Sequence, residues 1–418
     1  MRKRRFLKTS AAGALALTLL FGTQLPVPSA WHNLVQQPVA HAEGTDAKQA
    51  DLNLQAAAGL LMDVKTGQIL WQKNMDAKRY PASVTKIMTM LLIYDAVDKG
   101  EKTWDDIVPV SKNAYGTEGS SVWLDPSEKW TLREMLEFIA IPSANDACVA
   151  TSEFIAGSEE AFVARMNKKA QELGMTGTHF ADTNGLHHPD HYTTAHDIAL
   201  MARELLTKHP EILEITKIQS KMIRNNTFKL ENTNHVLGHY EGLDGLKTGF
   251  TDEAGYNLAG TAERDGFRIL SIELGAPNDA ARVDDTIRIL DYGFTNFTEQ
   301  TVATKGEAAP EKATIPNGKE EEIDAVLDQD LIVALKNDQK GELTKKVTFD
   351  EVEAPVKKGQ KLGKLEVMQD GKVIATGNLV AKQDVEEGSW IRLMFRGIGH
   401  FFGNLFSAIG DGIAGLFD

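Results

Sequence analysis

Ser83 and Lys86 stand three residues apart, Ser143 and Asn145 two apart, and Lys247, Thr248 and Gly249 in a row; in that order they hold the parts of one acyl-transfer site. A serine hydroxyl is a weak nucleophile until a neighbouring base takes its proton, and a neutral lysine is such a base. Pro81 suits the first turn of a helix, and the apolar run Ile87 to Val97 continues it to a stop at Lys99-Gly100. Ser83 therefore falls at a helix N-terminus. Residues three apart share a helix face, so the Lys86 amine reaches the Ser83 hydroxyl. An ordinary lysine, with a pKa of about 10.4, is protonated at neutral pH and useless as a base. The site must depress it by burial and by a second cation, for which Lys247 is the natural candidate.

The other two groups offer complementary chemistry. An apolar helical stretch from Leu132 breaks at Pro142 and restarts, which pushes Ser143 and Asn145 toward a cleft. There Ser143 can relay a proton to a leaving amine, and Asn145 can hold a substrate amide through both its donor and its acceptor. Lys247-Thr248-Gly249 precedes an alternating run, Tyr256 to Ala262, and reads as an edge strand. Gly249 lets a substrate backbone approach closely, while Lys247 and Thr248 suit a carboxylate. A second Lys-Thr-Gly, at residues 65–67, lies upstream of the serine and reads as a hairpin turn.

These groups resemble the signature of penicillin-binding proteins and class A β-lactamases. With Pro81 to Thr89, Ser143 to Ala147, Asn184-Gly185-Leu186, His191 to Asp197 and Asp244 to Gly249, the sequence resembles the low-molecular-mass penicillin-binding proteins that act as serine-type D-alanyl-D-alanine carboxypeptidases. The resemblance covers most of residues 50–297 and, more loosely, the rest. It implies an α/β (α+β) fold: a penicillin-binding protein/β-lactamase-like catalytic domain, a small β-rich domain and a C-terminal amphipathic helix. It implies acylation of Ser83 with Lys86 as base, Ser143 and Asn145 as the second element, and Lys247, Thr248 and Arg282 on the substrate's terminal carboxylate. The backbone N–H groups of Ser83 and Phe250 would form the oxyanion hole. The substrate implied is a peptidoglycan stem peptide ending in D-Ala-D-Ala, with β-lactams as covalent inhibitors. Phe250 and His235 depart from the family pattern, which carries His, Ser or Tyr at the first position and often Arg at the second.

Two further readings compete. A β-lactamase of class A needs a glutamate in an E-x-x-x-N loop between the second and third groups, and none stands between Asn145 and Lys247. A non-catalytic β-lactam sensor or wall-binding protein would keep the same pocket. His187-His188-Pro189-Asp190-His191 has the residue types of a zinc site, but no H-E-x-x-H helix accompanies it and His191 matches a position in the serine family. No metal or cofactor is expected. Cys148 is the single cysteine, which excludes an internal disulfide, and it should pack beneath the site.

The elements that must position these groups follow from pattern. A hairpin over Ala57 to Gln72 and strands around Lys247 to Ala262 and Phe267 to Leu274 should make a mostly antiparallel sheet. Helices after Ser83, Leu132, Ser158 and Thr194 should make a helical lobe, with a helix from Asp284 to Phe297 closing the catalytic domain, residues 43–297. From Thr298 the texture changes to short alternating runs, Leu331 to Leu335, Leu362 to Val367 and Val373 to Ala375, with a hairpin signal at Gln369-Asp370-Gly371-Lys372. This predicts a β-rich domain over residues 298–385.

The termini carry different signals. Arg2-Lys3-Arg4-Arg5, the apolar run Ala11 to Phe21 and Ala40-His41-Ala42 read as a signal peptide, residues 1–42, of the general secretory kind. Its loss removes five basic groups and no acidic ones, taking the net charge from −14 to −19. Such an acidic protein is a poor nucleic-acid binder. At the other end, apolar residues recur at helical spacing from Ile391 to Leu416 behind Trp390, Arg392 and Arg396. The charges spoil a spanning segment, but they suit a helix over residues 386–418 lying in a membrane surface. The expected location is the outer face of the cytoplasmic membrane.

Overall fold

The computed structural model describes residues 50–338 and 341–389. Five antiparallel strands form the central sheet: β1 (Ala58–Asp63), β2 (Ile69–Lys73), β3 (Leu243–Thr251), β4 (Gly255–Arg264) and β5 (Phe267–Ala276), in the order β2-β1-β5-β4-β3. The Lys65-Thr66-Gly67 copy is the turn of the first hairpin, where Gly67 takes a φ of +76° and the Asp63 carboxylate accepts from the Lys65 N–H at 2.9 Å. The Lys247 strand is β3, at the edge of the sheet.

Alternation along β1 shows how the sheet is covered. Leu60 and Met62 face one side with Leu270 and Ile272, among α1 (Lys86–Asp98), α2 (Leu132–Ala140), α3 (Asn145–Ala156), α4 (Glu159–Glu172) and α5 (Ala195–Lys208). Leu61 and Ile269 face the other, against Ile289 and Leu290 of α6 (Asp279–Asn296). With helices on both faces, β4 and β5 are nearly continuous buried runs. Helix α1 is buried almost all round because helices and the sheet surround it, so it shows no amphipathic stripe. Helix α2 begins with a full capping box, Thr131 and Glu134, and α4 and α5 are capped by Ser158 and Thr194.

One boundary differs from expectation. The closing helix starts at Asp279, not Asp284, because the Asn278 side chain caps it, accepting from the Ala281 N–H at 2.8 Å. The correction brings Arg282 into the helix's first turn.

Beyond α6 the described residues form strands and loops and no helix. Phe297–Ala303 pairs with Leu331–Lys336, and a four-stranded sheet runs in the order Ala325–Leu327, Lys372–Ala381, Lys361–Gln369, Leu343–Phe349. Asp370 and Gly371 take φ of +51° and +77°, both left-handed as a two-residue hairpin turn requires. The strand Leu343–Phe349 escapes a reading by hydrophobic alternation because it is a sheet edge rich in exposed lysine. Gln68, in the turn before β2, reaches this module: its side-chain amide donates to the Ala334 carbonyl at 3.0 Å and accepts from the Ala334 N–H at 3.2 Å.

The expected signal peptide, 1–42, and the apolar run from Trp390 onward lie outside the described residues. Residues 386–389 are not helical, since Glu387 makes a β-bridge to Gly318. Among the described residues no helix is long and apolar enough to cross a membrane.

Candidate active site

Ser83 sits in a single 3₁₀ turn, Ala82–Thr85, that runs straight into α1. Ala82 has a φ of +48°, a left-handed conformation that costs a residue with a side chain roughly 1–2 kcal/mol. Neighbours on three sides hold it there. A Cβ on Gly185 would lie 1.9 Å from the Ala82 carbonyl oxygen, and one on Gly249 would lie 2.7 Å from that of Pro81 and 3.0 Å from the Ser83 nitrogen. The backbone that comes close at Gly249 is thus the protein's own nucleophile turn. Asn257 Nδ2 donates to the carbonyls of Tyr80 and Pro81, both at 3.0 Å. From the third side His191 Nε2 meets Thr85 Oγ1 at 2.8 Å, while its Nδ1 lies 3.3 Å from Asp182.

Lys86 is fully buried, and its Nζ donates to Ser83 Oγ and to the Asn184 carbonyl, each at 2.7 Å. Burial pushes its pKa down to about 8, against the opposing pull of Cys148, Asp182 and Asp146. At pH 7 roughly one lysine in ten is then neutral, a few hundred-fold more than for a free side chain. Lys247 is buried too and held well below the ordinary lysine range, by burial first and then by the charges of Lys86 and Arg282. Burial is the leading cause at both lysines, and the two cations, close in one site, disfavour each other's charge. Cys148 packs in the same core with its thiol pushed up to about 12 by burial, which leaves it protonated and unreactive.

Ser143 and Asn145 stand where α2 stops and α3 begins. Ser143 has a φ of +66°, and its buried hydroxyl has no hydrogen-bond partner within the protein. The Asn145 side chain does not offer both ends freely to a substrate. Its Nδ2 donates to the Glu118 carbonyl at 2.7 Å, and its buried Oδ1 is the end without a partner. Asp146 fixes this start of α3 by accepting from Ser121 Oγ at 2.6 Å and the Leu124 N–H at 2.9 Å.

Along β3, Thr248 Oγ1 meets Thr233 Oγ1 at 2.5 Å, and the Arg282 guanidinium lies against the Thr233 carbonyl at 3.4 Å. Arg282 is buried and ion-paired with Asp279, whose other oxygen takes His235 Nδ1 at 2.6 Å. Burial disfavours the Asp279 carboxylate, but His235 and Arg282 hold it below its usual range. Phe250 follows at the mouth, half exposed, its ring 4.3 Å from that of Tyr256.

The geometry gathers a serine with a depressed lysine, two buried side-chain oxygens without partners, and an edge strand beside a cationic cluster. The family model for D-alanyl-D-alanine carboxypeptidases matches residues 44–278. The chain belongs to this family. A second model, for the C-terminal domain of penicillin-binding protein 5, matches residues 297–387. D-alanyl-D-alanine carboxypeptidase DacF of Bacillus subtilis is 37% identical over 393 residues, which cover 92% of this chain and 98% of the relative. DacC of Escherichia coli is 33% identical, with 85% and 91% covered. Among solved structures, penicillin binding protein 5 from Haemophilus influenzae superposes with a TM-score of 0.73 at 30% identity, over 80% of this chain and 98% of that one. Penicillin-binding protein D2 from Listeria monocytogenes, in its ampicillin-bound form, superposes with a TM-score of 0.55 at 36% identity, over 59% of this chain and 100% of that one. The fold and the serine carboxypeptidase class expected from the sequence agree with these findings.

Reading this carboxypeptidase from its side-chain chemistry alone overlooks several residues. The Asn184 carbonyl that receives Lys86, the Gly185 contact with Ala82, the His191–Thr85 bond and the Glu118 carbonyl on Asn145 carry no chemical signal of their own. Asn184-Gly185-Leu186 and His191 stand out only through the family pattern. The three histidines of the 187–191 loop serve separately. His187 stands edge-on to Tyr80, His188 Nδ1 accepts from the Asp190 N–H at 3.1 Å, and His191 is buried on Thr85.

Proposed function

We propose that the chain removes the terminal D-Ala of peptidoglycan stem peptides through an acyl-Ser83 intermediate. Ser83 Oγ adds to the carbonyl carbon of the penultimate D-Ala while neutral Lys86 takes its proton. The peptide C–N bond then breaks, and that proton passes through Ser143 to the departing amine. Water adds to the acyl-Ser83 ester and gives its proton to Lys86; the ester C–O bond breaks, Ser83 recovers its hydrogen, and the peptide leaves one residue shorter. The Asn145 Oδ1 accepts the substrate's amide N–H, and the N–H groups of Ser83 and Phe250 hold the oxyanion. Lys247, Thr248 and Arg282 take the terminal carboxylate, with Gly249 giving β3 its close fit against the nucleophile turn.

The observation that carries this reading is the buried Lys86 amine, 2.7 Å from Ser83 Oγ and depressed to about 8. Steady release of D-Ala from a synthetic acyl-Lys-D-Ala-D-Ala peptide tests it, with Ser83→Ala as control. Loss of both D-Ala release and covalent labelling by a fluorescent penicillin is expected in the variant. A variant that still labels would remove Ser83 from the mechanism, and a wild-type protein that labels but releases no D-Ala would be a sensor.

The same reading makes residues 1–42 an export signal, 43–297 the catalytic domain, 298–385 a spacer and 386–418 a surface-lying membrane anchor. Eight or so large apolar side chains at an interface contribute several kcal/mol, at roughly 25 cal/mol per Å². A mature chain ending near Glu387 should be soluble and active on small peptides. If it still sediments with membranes, or the full mature chain is wholly soluble, the anchor is lost.

A further inference from the structure

From Thr248 on β3 a series of contacts leads outward to solvent, and Arg282 is its middle link. Thr248 Oγ1 meets Thr233 Oγ1 at 2.5 Å, and the Thr233 carbonyl accepts from Arg282 Nη2 at 3.4 Å. The same Nη2 donates to Asp279 Oδ1, one helical turn earlier on α6, while His235 Nδ1 meets Asp279 Oδ2 at 2.6 Å. Arg282 is buried, Asp279 is partly exposed and His235 is open to water. Groups on the neighbouring strands leave this series intact. Lys247 of β3 adds a repelling charge to Arg282, and the Tyr256 ring of β4 lies 5.5 Å from the guanidinium. Glu273 of β5 accepts from Thr286 Oγ1 at 2.7 Å, and burial pushes it well above the carboxylate range, so it stays uncharged. Asp285 turns instead to the N–H groups of Ala56, at 2.7 Å, and Gln55, at 3.2 Å. Asp279 is the anion left to Arg282.

That pairing sets two requirements against each other. A long arginine stem has many rotamers to lose, so a fixed partner holds the guanidinium ready for a substrate. The same partner cancels the charge that a carboxylate would seek. We propose that Asp279 and His235 are positioning residues for the reading of the substrate's terminal carboxylate: Asp279 fixes Arg282 beside Thr233 and Thr248, and protonated His235 offsets the Asp279 charge. The three side chains then keep one net positive charge. With His235 neutral they sum to zero, and the hold on a carboxylate weakens. Imidazole is the side chain that ordinarily changes charge between pH 5 and 8, so carboxylate preference should fall as pH rises through that range. This is opposite in sign to the acylation step, which needs Lys86 neutral and speeds up with pH. The inference rests on the carboxypeptidase reading and adds to it what sets its preference for a free C-terminus.

The test is the ratio of kcat/KM on an acyl-Lys-D-Ala-D-Ala peptide to kcat/KM on its C-terminal amide, followed from pH 5.5 to 7.5. Titration of Lys86, and any loss of folded protein, act on both peptides alike and cancel. In the unchanged enzyme the ratio should fall by about threefold or more across this range. His235→Arg keeps its charge and should lose most of that fall; any share due to Lys247 persists in this variant and is subtracted. His235→Gln should show the reduced ratio already at pH 5.5. Asp279→Asn should lower the ratio at pH 5.5 although it removes a negative charge, because Arg282 is no longer held. A flat ratio in the unchanged enzyme, an equal fall in His235→Arg, an unreduced ratio in His235→Gln at pH 5.5, or an Asp279→Asn ratio that does not drop would overturn the proposal. If neither peptide released its terminal residue, the carboxypeptidase reading would fall. The same two peptides, as competitors of fluorescent penicillin labelling, would still show this pH-dependent preference or refute it.

Discussion

The catalytic domain and the β-rich module differ most in what they bury. Among the described residues, every fully buried polar or charged side chain lies between Asp63 and Thr286, and the module beyond Phe297 buries none. Its ion pairs, Lys357 with Asp384 and Lys382 with Asp324 among them, stand in solvent, where a pair contributes about 0–1 kcal/mol. The catalytic domain instead sequesters two lysines, leaves Ser143 Oγ and Asn145 Oδ1 without protein partners, and holds Ala82 and Ser143 at positive φ. Each of these costs stability. The contrast separates scaffold from chemistry: the module keeps its charged pairs in solvent, and the site buries the lysines with which it has to react.

Substitutions that treat the two regions alike should expose this difference. The largest effect is expected of Lys86→Ala, which should slow acylation by a fluorescent penicillin roughly 10²–10⁴-fold, the contribution of a general base, without lowering the melting temperature. Acylation close to the wild-type rate would remove Lys86 from the mechanism. Acylation by the unchanged enzyme should also fall about tenfold per pH unit below about 8 and level off above it, because the neutral lysine is the reactive form. The sign for stability runs the same way. The native pKa lies below the unfolded value of 10.5, so the unfolded state binds more protons and this lysine adds stability as pH rises from about 8 toward 10.5. A rate that is flat from pH 6 to 9 would contradict the assignment.

Paired glycine substitutions come next. Gly185→Ala should displace the nucleophile turn and lose most acylation, since its Cβ meets the Ala82 carbonyl at 1.9 Å. Gly371→Ala in the module has open space around it and should cost only the left-handed strain, about 1–2 kcal/mol, with activity intact. Equal melting temperatures and equal rates for the two would erase the distinction. Arg282→Ala should lower kcat/KM on a peptide ending in free D-Ala far more than on its amide, and a uniform loss would show that Arg282 does not read the carboxylate. The smallest effect should come from Lys357→Ala, within about 0.5 kcal/mol by chemical denaturation.

The sequence carried the groups that act through their own side chains, because Ser83 with Lys86, and Lys247 with Thr248, are neighbours along the chain and their spacing already fixes a shared face or strand. The helix starts after Ser158 and Thr194 and the turns at Lys65-Thr66-Gly67 and Asp370-Gly371 were legible for the same local reason. What was hidden acts across distance and through the main chain. His191 is 106 residues from Thr85, Asn184 is 98 from Lys86, and Glu118 serves Asn145 only with a carbonyl that every residue possesses. Arg282 was placed by the family pattern, but its ion pair with Asp279 depends on a cap at Asn278 that a hydrophobic pattern does not register.

Gln68 grips the module through Ala334 alone, and only through main-chain atoms: it gives one hydrogen bond and takes one, as a strand partner would. That contact reads no side chain at 334, whereas Glu299 and Asn337 add side-chain contacts across the joint, to Lys65 at 3.3 Å and to the Thr295 carbonyl at 2.9 Å. The module works like a cartridge with one standard fitting and two keyed pins, exchangeable for another β unit of the same register that keeps the pins. Proline at 334 is the exception, since it has no N–H to offer the fitting.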